Sequence, residues 1–258
     1  MPLAVLKLLR LGGHLLGGVL TVLVLFPRLD GRQRGRRVSR WALRMLTILD
    51  IRVVCRGPTP TQDSGGALLV SNHVSWLDIH VLHSLLPVRF VSKSEIRDWP
   101  LIGWLAVRVG TVFLTREKRS DTRRVNQLMV QHLRDRDLLA LFPEGTTSDG
   151  RELLPFYPSL FQPVVEARAP IWPARLRYLD AQGQASEAAA YHGGMSLADS
   201  LWRVLRQRGI TVEVEFLPRI PYQEGLGRRE LAHLCETLIR ETPAAVGRAP
   251  ERSVHLPA

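Results

Sequence analysis

A histidine followed five positions later by an aspartate, His73 and Asp78, is the pair in this chain best suited to chemistry. A neutral imidazole takes up a proton near pH 7, and a nearby carboxylate fixes its tautomer and stabilises the imidazolium that forms. If the two side chains meet, the chain contains a general base that acts on a hydroxyl group. Such chemistry requires no cysteine or serine nucleophile.

The spacing alone leaves a second interpretation open, in which Asp78 only caps a helix. On a regular helix an offset of five residues turns about 140° around the axis, so the pair would not share a face. Ser75–Asp78 has the spacing of a capping box, which predicts a helix that begins at Ser75. His73 would then lie in the loop before the helix and Asp78 in its first turn, which brings the two within reach.

The elements that must position this pair alternate between strand-like runs and helical patterns. The predicted strands are 51–54, 67–70, 89–92, 111–114, 138–142, 171–174, 176–178 and 210–217, and the predicted helices follow Ser75 and Ser196 and cover 121–136 and 228–240. This order predicts one α/β domain with a largely parallel mixed sheet flanked by helices. Pro173 would suit an edge strand, because proline cannot donate to a ladder.

The N-terminal segment is apolar from Leu11 to Phe26 except for His14. Sixteen helical residues span roughly 24 Å, less than the ~30 Å hydrocarbon core of a bilayer. The segment therefore either barely spans a membrane or enters one leaflet. A signal peptide is the alternative, but no small-residue cleavage site follows.

An arginine-rich connector follows this segment, and a second apolar helix pattern begins at Trp41. Six arginines within 28–40 are opposed only by Asp30, and such clusters remain on the cytoplasmic side near anionic headgroups. We expect a membrane-associated two-helix unit over 1–50, a domain over 51–240 and a loose tail over 241–258. The alternative for the second helix is a core helix of the domain.

Composition limits the partners. The 258 residues carry a formal net charge of +11, which predicts an anionic partner and leaves nucleic acid, anionic lipid and phosphorylated substrates open. Two cysteines without metal-ligand spacing fit a reducing compartment. The sequence contains no glycine-rich phosphate loop and no zinc-ligand cluster.

Three more segments place chemistry-prone residues at strand ends, where ligands bind in open α/β sheets. They are Gly110–Arg116 (GTVFLTR), Phe142–Thr146 (FPEGT) and the proline-interrupted run Ile171–Ala174. Taken singly, Arg116 could be a surface charge and FPEGT only a turn. With Asn72–Asp78 they form four blocks in fixed order, and in this the chain resembles the lysophosphatidic acid acyltransferase (PlsC-like) family of glycerolipid acyltransferases.

The resemblance implies roles for the site residues. His73 would deprotonate the free hydroxyl of a lysophospholipid acceptor, Asp78 would orient His73, and the oxygen would attack an acyl thioester directly. Arg116 would bind the acceptor phosphate, as guanidinium suits paired phosphate oxygens. Lys93 would supply a second positive charge, unless it is only a solvated loop residue.

The resemblance further implies that Glu144 and Gly145 form an acceptor-binding turn, with Glu144 holding either a glycerol hydroxyl or Arg116. Thr146 and the turn's backbone amides would contact phosphate. The family uses no metal or prosthetic group, so we expect no cofactor besides the donor substrate, acyl-CoA or acyl carrier protein.

The resulting hypothesis is an acyltransferase on the inner membrane, facing the cytoplasm, that converts 1-acyl-sn-glycerol-3-phosphate to phosphatidic acid. The anionic inner leaflet is its expected partner, and nucleic acid is not. Acylation of another lyso-lipid, such as a lyso-ornithine lipid, would use the same blocks. A non-catalytic basic protein that binds membrane or nucleic acid is the rival from another class.

Overall fold

One mixed sheet organises the chain in the computed structural model, which describes residues 2–61, 65–114, 119–242 and 252–253. The strands lie in the order β4-β3-β5-β2-β6-β7-β1-β8. Their bounds are β1 Ile51–Arg56, β2 Ala67–Ser71, β3 Arg89–Lys93, β4 Val112–Leu114, β5 Leu138–Leu141, β6 Ile171–Leu179, β7 Ile210–Phe216 and β8 Arg252–Ser253.

The strands β2 to β6 run parallel to their neighbours among themselves, whereas β7 pairs antiparallel with β6 and parallel with β1. The two-residue β8 pairs antiparallel with β1. The predicted largely parallel mixed sheet is thus confirmed. Because β2, β3, β5 and β6 share one direction, their carboxyl ends lie at one edge, where the predicted site residues follow.

Helices cover both faces of the sheet. Their bounds are α1 Pro2–Leu20, α2 Gly31–Ile48, α3 Leu77–Leu85, α4 Ile102–Arg108, α5 Arg119–Arg134, α6 Gln162–Ala167, α7 Leu197–Arg206 and α8 Arg228–Glu241. One buried cluster joins one sheet face to α1, α2, α3 and α7, and the other joins the opposite face to α5, α6 and α8. Fully buried parallel strands such as ALLVS in β2 are expected between two such layers.

Pro173 corrects one expectation, because it lies in a central strand and not at an edge. The runs 171–174 and 176–178 form the single strand β6 between β2 and β7. The Pro173 carbonyl accepts the N–H of Leu217 at 2.9 Å, one residue beyond the end of β7. The missing proline N–H faces Leu217, outside the paired residues of β6 and β7, so the proline removes no hydrogen bond between those paired residues.

The N-terminal unit extends further than the apolar run suggested. Helix α1 continues through a π-helical turn and a 3-10 turn to Arg28, and Pro2–Arg28 is long and apolar enough, by length and composition, to cross a membrane. Asp30 caps α2 with a complete capping box. The start of the predicted tail lies within α8 at Glu241, and most of 241–258 falls outside the described residues.

Candidate active site

The loop after β2, which contains His73, is held in place at its first residue, Asn72. The Asn72 side chain accepts the N–H of Leu176 at 2.7 Å and donates to the Leu176 carbonyl at 3.0 Å. This amide acts like one further backbone unit that continues the pairing of β2 with β6. The loop residue that follows, His73, therefore begins from a rigid strand end.

His73 and Asp78 meet. The Nδ1 atom of His73 lies 2.8 Å from Oδ2 of Asp78, whose side chain is fully buried. Because a carboxylate only accepts, we assign the hydrogen to Nδ1, which leaves the lone pair of Nε2 free to take a proton. The His73 side chain is 18% exposed, so a small reactant has access to the ring.

Asp78 is held by four donors. Its Oδ2 atom accepts the backbone N–H groups of Val74 at 2.7 Å and Ser75 at 3.0 Å besides His73, and its Oδ1 atom accepts the hydroxyl of Tyr178 at 2.7 Å. A buried charge is tolerated when its lone pairs are satisfied in this way. The carboxylate is thus both fixed in position and compensated.

The helix start differs from the prediction by two residues. Helix α3 begins at Leu77, and Ser75 Oγ accepts the N–H of Leu77 at 3.3 Å instead of that of Asp78. The other half of the capping box is present, since Asp78 accepts the Ser75 N–H. The same carboxylate thus organises the helix entry and orients His73, so the two interpretations of Asp78 are not alternatives.

Glu144 braces the loop from the neighbouring strand end. One of its oxygens accepts the N–H of His73 at 2.6 Å, and the other accepts the N–H of Leu154 at 2.8 Å. Burial raises the pKa of Glu144 to about 7, although both backbone hydrogen bonds favour the charged form. Both oxygens of this carboxyl group therefore face the protein backbone.

Aromatic rings form a wall behind His73. The His73 and Phe142 rings are stacked with centroids 4.0 Å apart, Phe142 stacks on Phe90 at 5.7 Å, and His83 meets Phe90 edge-on at 4.9 Å. Burial lowers the pKa of His83 to about 4, so it remains neutral. The wall fixes the plane of the His73 ring on an apolar surface.

The other predicted site residues lie at the same sheet edge where they are described. Lys93 is the exposed last residue of β3, Gly145 has a φ of +67° in the turn after β5, and Thr146 is exposed beside it. A positive φ favours glycine, which explains that residue in the turn. Arg116 lies outside the described residues. Among the described residues, no group of three or more His, Cys, Asp and Glu side chains could hold a metal ion.

A second pair with the same spacing joins His132, in the last turn of α5, to Asp137, the residue before β5. Its Nδ1–Oδ2 distance is also 2.8 Å, but Asp137 is 34% exposed and also binds Arg89 Nε at 2.8 Å. This pair precedes a strand, whereas His73 follows one, so the two lie at opposite ends of the parallel strands. Spacing and distance alone do not distinguish them; burial and strand direction do.

Comparison with known proteins agrees with this geometry. Residues 52–177 match the sequence profile of the family described as Acyltransferase. A relative in Neisseria meningitidis serogroup B, named 1-acyl-sn-glycerol-3-phosphate acyltransferase, is 34% identical over 211 residues, which are 82% of each chain. The chain belongs to the acyltransferase family. The predicted family and the enzymatic class are thereby confirmed.

Two further acyltransferases bear on acceptor and fold. A Pseudomonas aeruginosa protein named lyso-ornithine lipid O-acyltransferase is 38% identical over 216 residues, which are 83% of this chain and 81% of that one. The crystal structure of the 1-acyl-sn-glycerophosphate acyltransferase PlsC from Thermotoga maritima superposes with a TM-score of 0.66 at 20% identity, covering 92% and 95% of the chains. The latter establishes the fold.

Sequence reasoning missed two residues of this acyltransferase site. Tyr178 lies 100 positions from Asp78, and the Ser148 N–H, which donates to the His73 carbonyl at 2.9 Å, follows the FPEGT turn. Burial and the nearby Asp78 charge raise the pKa of Tyr178, so it remains a donor. One signal was available: a tyrosine on the buried side of a strand requires a hydrogen-bond partner.

Proposed function

We propose that this acyltransferase moves a fatty acyl chain from acyl-CoA or acyl carrier protein to the 2-hydroxyl of 1-acyl-sn-glycerol-3-phosphate, giving phosphatidic acid. One observation carries the proposal. The half-buried imidazole of His73 lies at the carboxyl edge of the sheet, and the buried carboxylate of Asp78 fixes its tautomer so that Nε2 can take up a proton. The name and 34% identity of the Neisseria meningitidis relative support this acceptor.

The transfer proceeds in one displacement without a metal or prosthetic group. His73 Nε2 takes the proton of the acceptor hydroxyl as its oxygen attacks the thioester carbonyl, and Asp78 stabilises the imidazolium. The tetrahedral intermediate then expels the thiolate, which receives the proton from His73. The C–O bond formed replaces the C–S bond broken, so the protein ends unchanged.

In this proposal Arg116 and Lys93 bind the acceptor phosphate, and Gly145 and Thr146 contact it from the turn after β5. Lys93 and the turn lie at the carboxyl ends of adjacent parallel strands, β3 and β5. Glu144 acts by fixing the His73 backbone, in view of its two backbone partners. A positively charged site that binds an anion at this edge is consistent with the formal net charge of +11 of the whole chain.

The test compares the two histidine–aspartate pairs. We expect His73→Ala to lower kcat by about 10²–10⁴-fold, the usual contribution of a general base. His132→Ala, which breaks a pair of equal spacing and equal distance, serves as the matched control and should retain wild-type turnover. Near wild-type transfer by His73→Ala with an intact fold would remove the base assignment.

A second acceptor has specific support, because the Pseudomonas aeruginosa lyso-ornithine lipid acyltransferase is as similar as the Neisseria protein. Purified protein assayed with both acceptors and one acyl-CoA separates the two. Turnover of lyso-ornithine lipid alone would exclude the phosphatidic acid assignment. Competition between acyl-CoA and acyl carrier protein in the same assay identifies the donor.

We also propose that the enzyme lies on the cytoplasmic leaflet of the inner membrane with α1 in the plane of the bilayer. One side of α1 is bound to the domain: Lys7 donates to the carbonyls of Leu49 and Gln207, and His14 and Trp41 exchange two hydrogen bonds. The other side of α1 and of the π-helical turn that continues it exposes large apolar residues, namely Val5, Leu6, Leu8, Leu9, Leu16, Leu20, Leu23 and Val24. Such a two-sided helix suits an interface better than a span.

The orientation of α1 is tested with a protease-sensitive tag before Met1. An in-plane helix leaves the tag on the cytoplasmic side, so an added protease removes it in inverted membrane vesicles and not in spheroplasts. Cleavage in spheroplasts would mean that α1 crosses the membrane.

A further inference from the structure

A cavity of about 800 Å³ lies away from the catalytic residues, between the end of the N-terminal helix and the segment 97–108. Val22 and Phe26 form one side, and Trp99, Trp104 and Val107 form the other. Its volume falls within the range of small-molecule sites. Since none of the site residues described above lines it, the proposed reaction does not account for it.

The apolar wall is held in an unfavourable backbone conformation. Leu101 has a φ of +63°, which is uncommon for a residue with a side chain, yet this residue lines the cavity and is 43% exposed. The turn is closed tightly, because a Cβ at Gly103 would collide with the Arg97 carbonyl. A strained turn that holds an exposed leucine at a cavity indicates a surface shaped for an apolar ligand.

Three arginines surround this apolar wall. Arg34 donates to the Phe26 carbonyl at 3.0 Å, and the Arg108 guanidinium lies 5.4 Å from the centroid of the Trp104 ring. Arg97 completes the set, and no carboxylate is among the described residues that line the cavity. Guanidinium groups on aromatic faces keep donors available for phosphate oxygens.

We propose that this cavity, the arginine groove, binds an anionic diacyl phospholipid of the bilayer. The chain would lie on Leu101, Trp104 and Val107, and the phosphate would bind Arg34, Arg97 and Arg108. The exposed Leu23 and Val24 at the end of the N-terminal helix continue the apolar surface to the groove, so a lipid enters from the leaflet. The inference rests on the proposed in-plane position of α1.

A bound phospholipid would give the domain a second attachment to the membrane. The first is the apolar side of α1, and the second would lie on 97–108, directly before the strand β4 that leads to Arg116. Two attachments restrict rotation of the domain about α1. The groove would thus orient the sheet edge with His73 relative to the leaflet.

The test measures vesicle binding without donor or acceptor. The double variant Arg97→Glu and Arg108→Glu should bind phosphatidylglycerol-containing vesicles about 30-fold more weakly or worse than wild type, since each basic residue near an anionic surface contributes about 5-fold in affinity. The matched control, Arg228→Glu with Arg229→Glu, makes the same charge change at the exposed start of α8. It should lose less than about 3-fold, because screening limits the field to about 10 Å.

Quenching identifies the groove itself. Brominated phosphatidylglycerol should quench wild-type tryptophan fluorescence, and Trp104→Phe should remove part of that quenching. Equal binding by the Arg97/Arg108 variant, or unchanged quenching in Trp104→Phe, would overturn the proposal. Displacement of the brominated lipid by equimolar short-chain lysophosphatidate would assign the groove to the acceptor and overturn it too.

The groove and the reaction can fail separately. A wild-type protein that binds the vesicles through the groove but transfers no acyl chain would remove the proposed function only. A protein that transfers acyl chains while the Arg97/Arg108 variant binds as wild type would remove the groove only.

Discussion

Replacing Tyr178 with phenylalanine tests how the buried carboxylate of Asp78 is compensated. The Oδ2 atom accepts three N–H groups, whereas the Oδ1 atom accepts the hydroxyl of Tyr178 at 2.7 Å. Removing it leaves one oxygen of a fully buried carboxylate without that bond. A hydrogen bond to a charged group contributes about 1.5–3 kcal/mol, so we expect an equal loss of unfolding free energy, about 10–150-fold in the folding equilibrium.

The same substitution should separate kcat from KM. The Tyr178 hydroxyl donates to Asp78, so we expect it to act on His73 through that carboxylate, by positioning and charge compensation. We expect kcat to fall while KM for donor and acceptor stays within about 2-fold, because a substituent that stabilises only the transition state leaves substrate binding unchanged.

Urea denaturation and steady-state kinetics of Tyr178→Phe measure both effects. Tyr222→Phe is the matched control, since that ring packs near Arg168 and lies outside the site. A loss of stability below about 0.5 kcal/mol, the range of ordinary surface substitutions, would refute the compensation of Asp78 by Tyr178. A rise in KM with unchanged kcat would refute the positioning role.

Two further predictions concern Glu144 and Lys7. Because burial raises the pKa of Glu144 from 4.5 to about 7, the folded state favours its protonated form, and the unfolding free energy should fall as pH rises from about 4.5 to about 7. Glu144→Gln cannot ionise, so urea titrations across that range should give a flatter profile than wild type; parallel profiles would contradict the assignment. Lys7→Met leaves the carbonyls of Leu49 and Gln207 without their donor and should lower the unfolding free energy by about 1–3 kcal/mol. Arg10→Met, at an exposed position of the same helix, should match wild type in the same denaturation series.

The sequence predicted those strands, helix starts and contacts that depend on residues close to one another in the chain. The run 210–217 was predicted as a strand, and β7 forms there, with buried and partly exposed residues alternating over Ile210–Phe216. Helix α7 follows Ser196 as predicted, and Ser196 caps it by accepting the N–H of Asp199. The contact between His73 and Asp78 was predictable for the same reason. The two residues are only five positions apart, so the loop and the first helical turn between them decide whether they meet.

Contacts between distant segments could not be predicted. The pairing of β7 with β6, which places Pro173 in a central strand, depends on packing across the whole sheet. Tyr178 reaches Asp78 because β6 pairs with β2, and Glu144 reaches the His73 backbone because β5 pairs with β2 on the other side. The sequence contains the side chains, but the order of the strands decides which of them meet.

The attachment of Lys7 to Gln207 joins residues 200 positions apart. At a synthesis rate of ~5–20 residues per second, about 10–40 s separate the appearance of the two. During that interval α7, which packs against α1, does not yet exist, while α1 has already been synthesised. If α1 lies in the plane of the bilayer as proposed, its apolar side is therefore available to the membrane before α7 has been made.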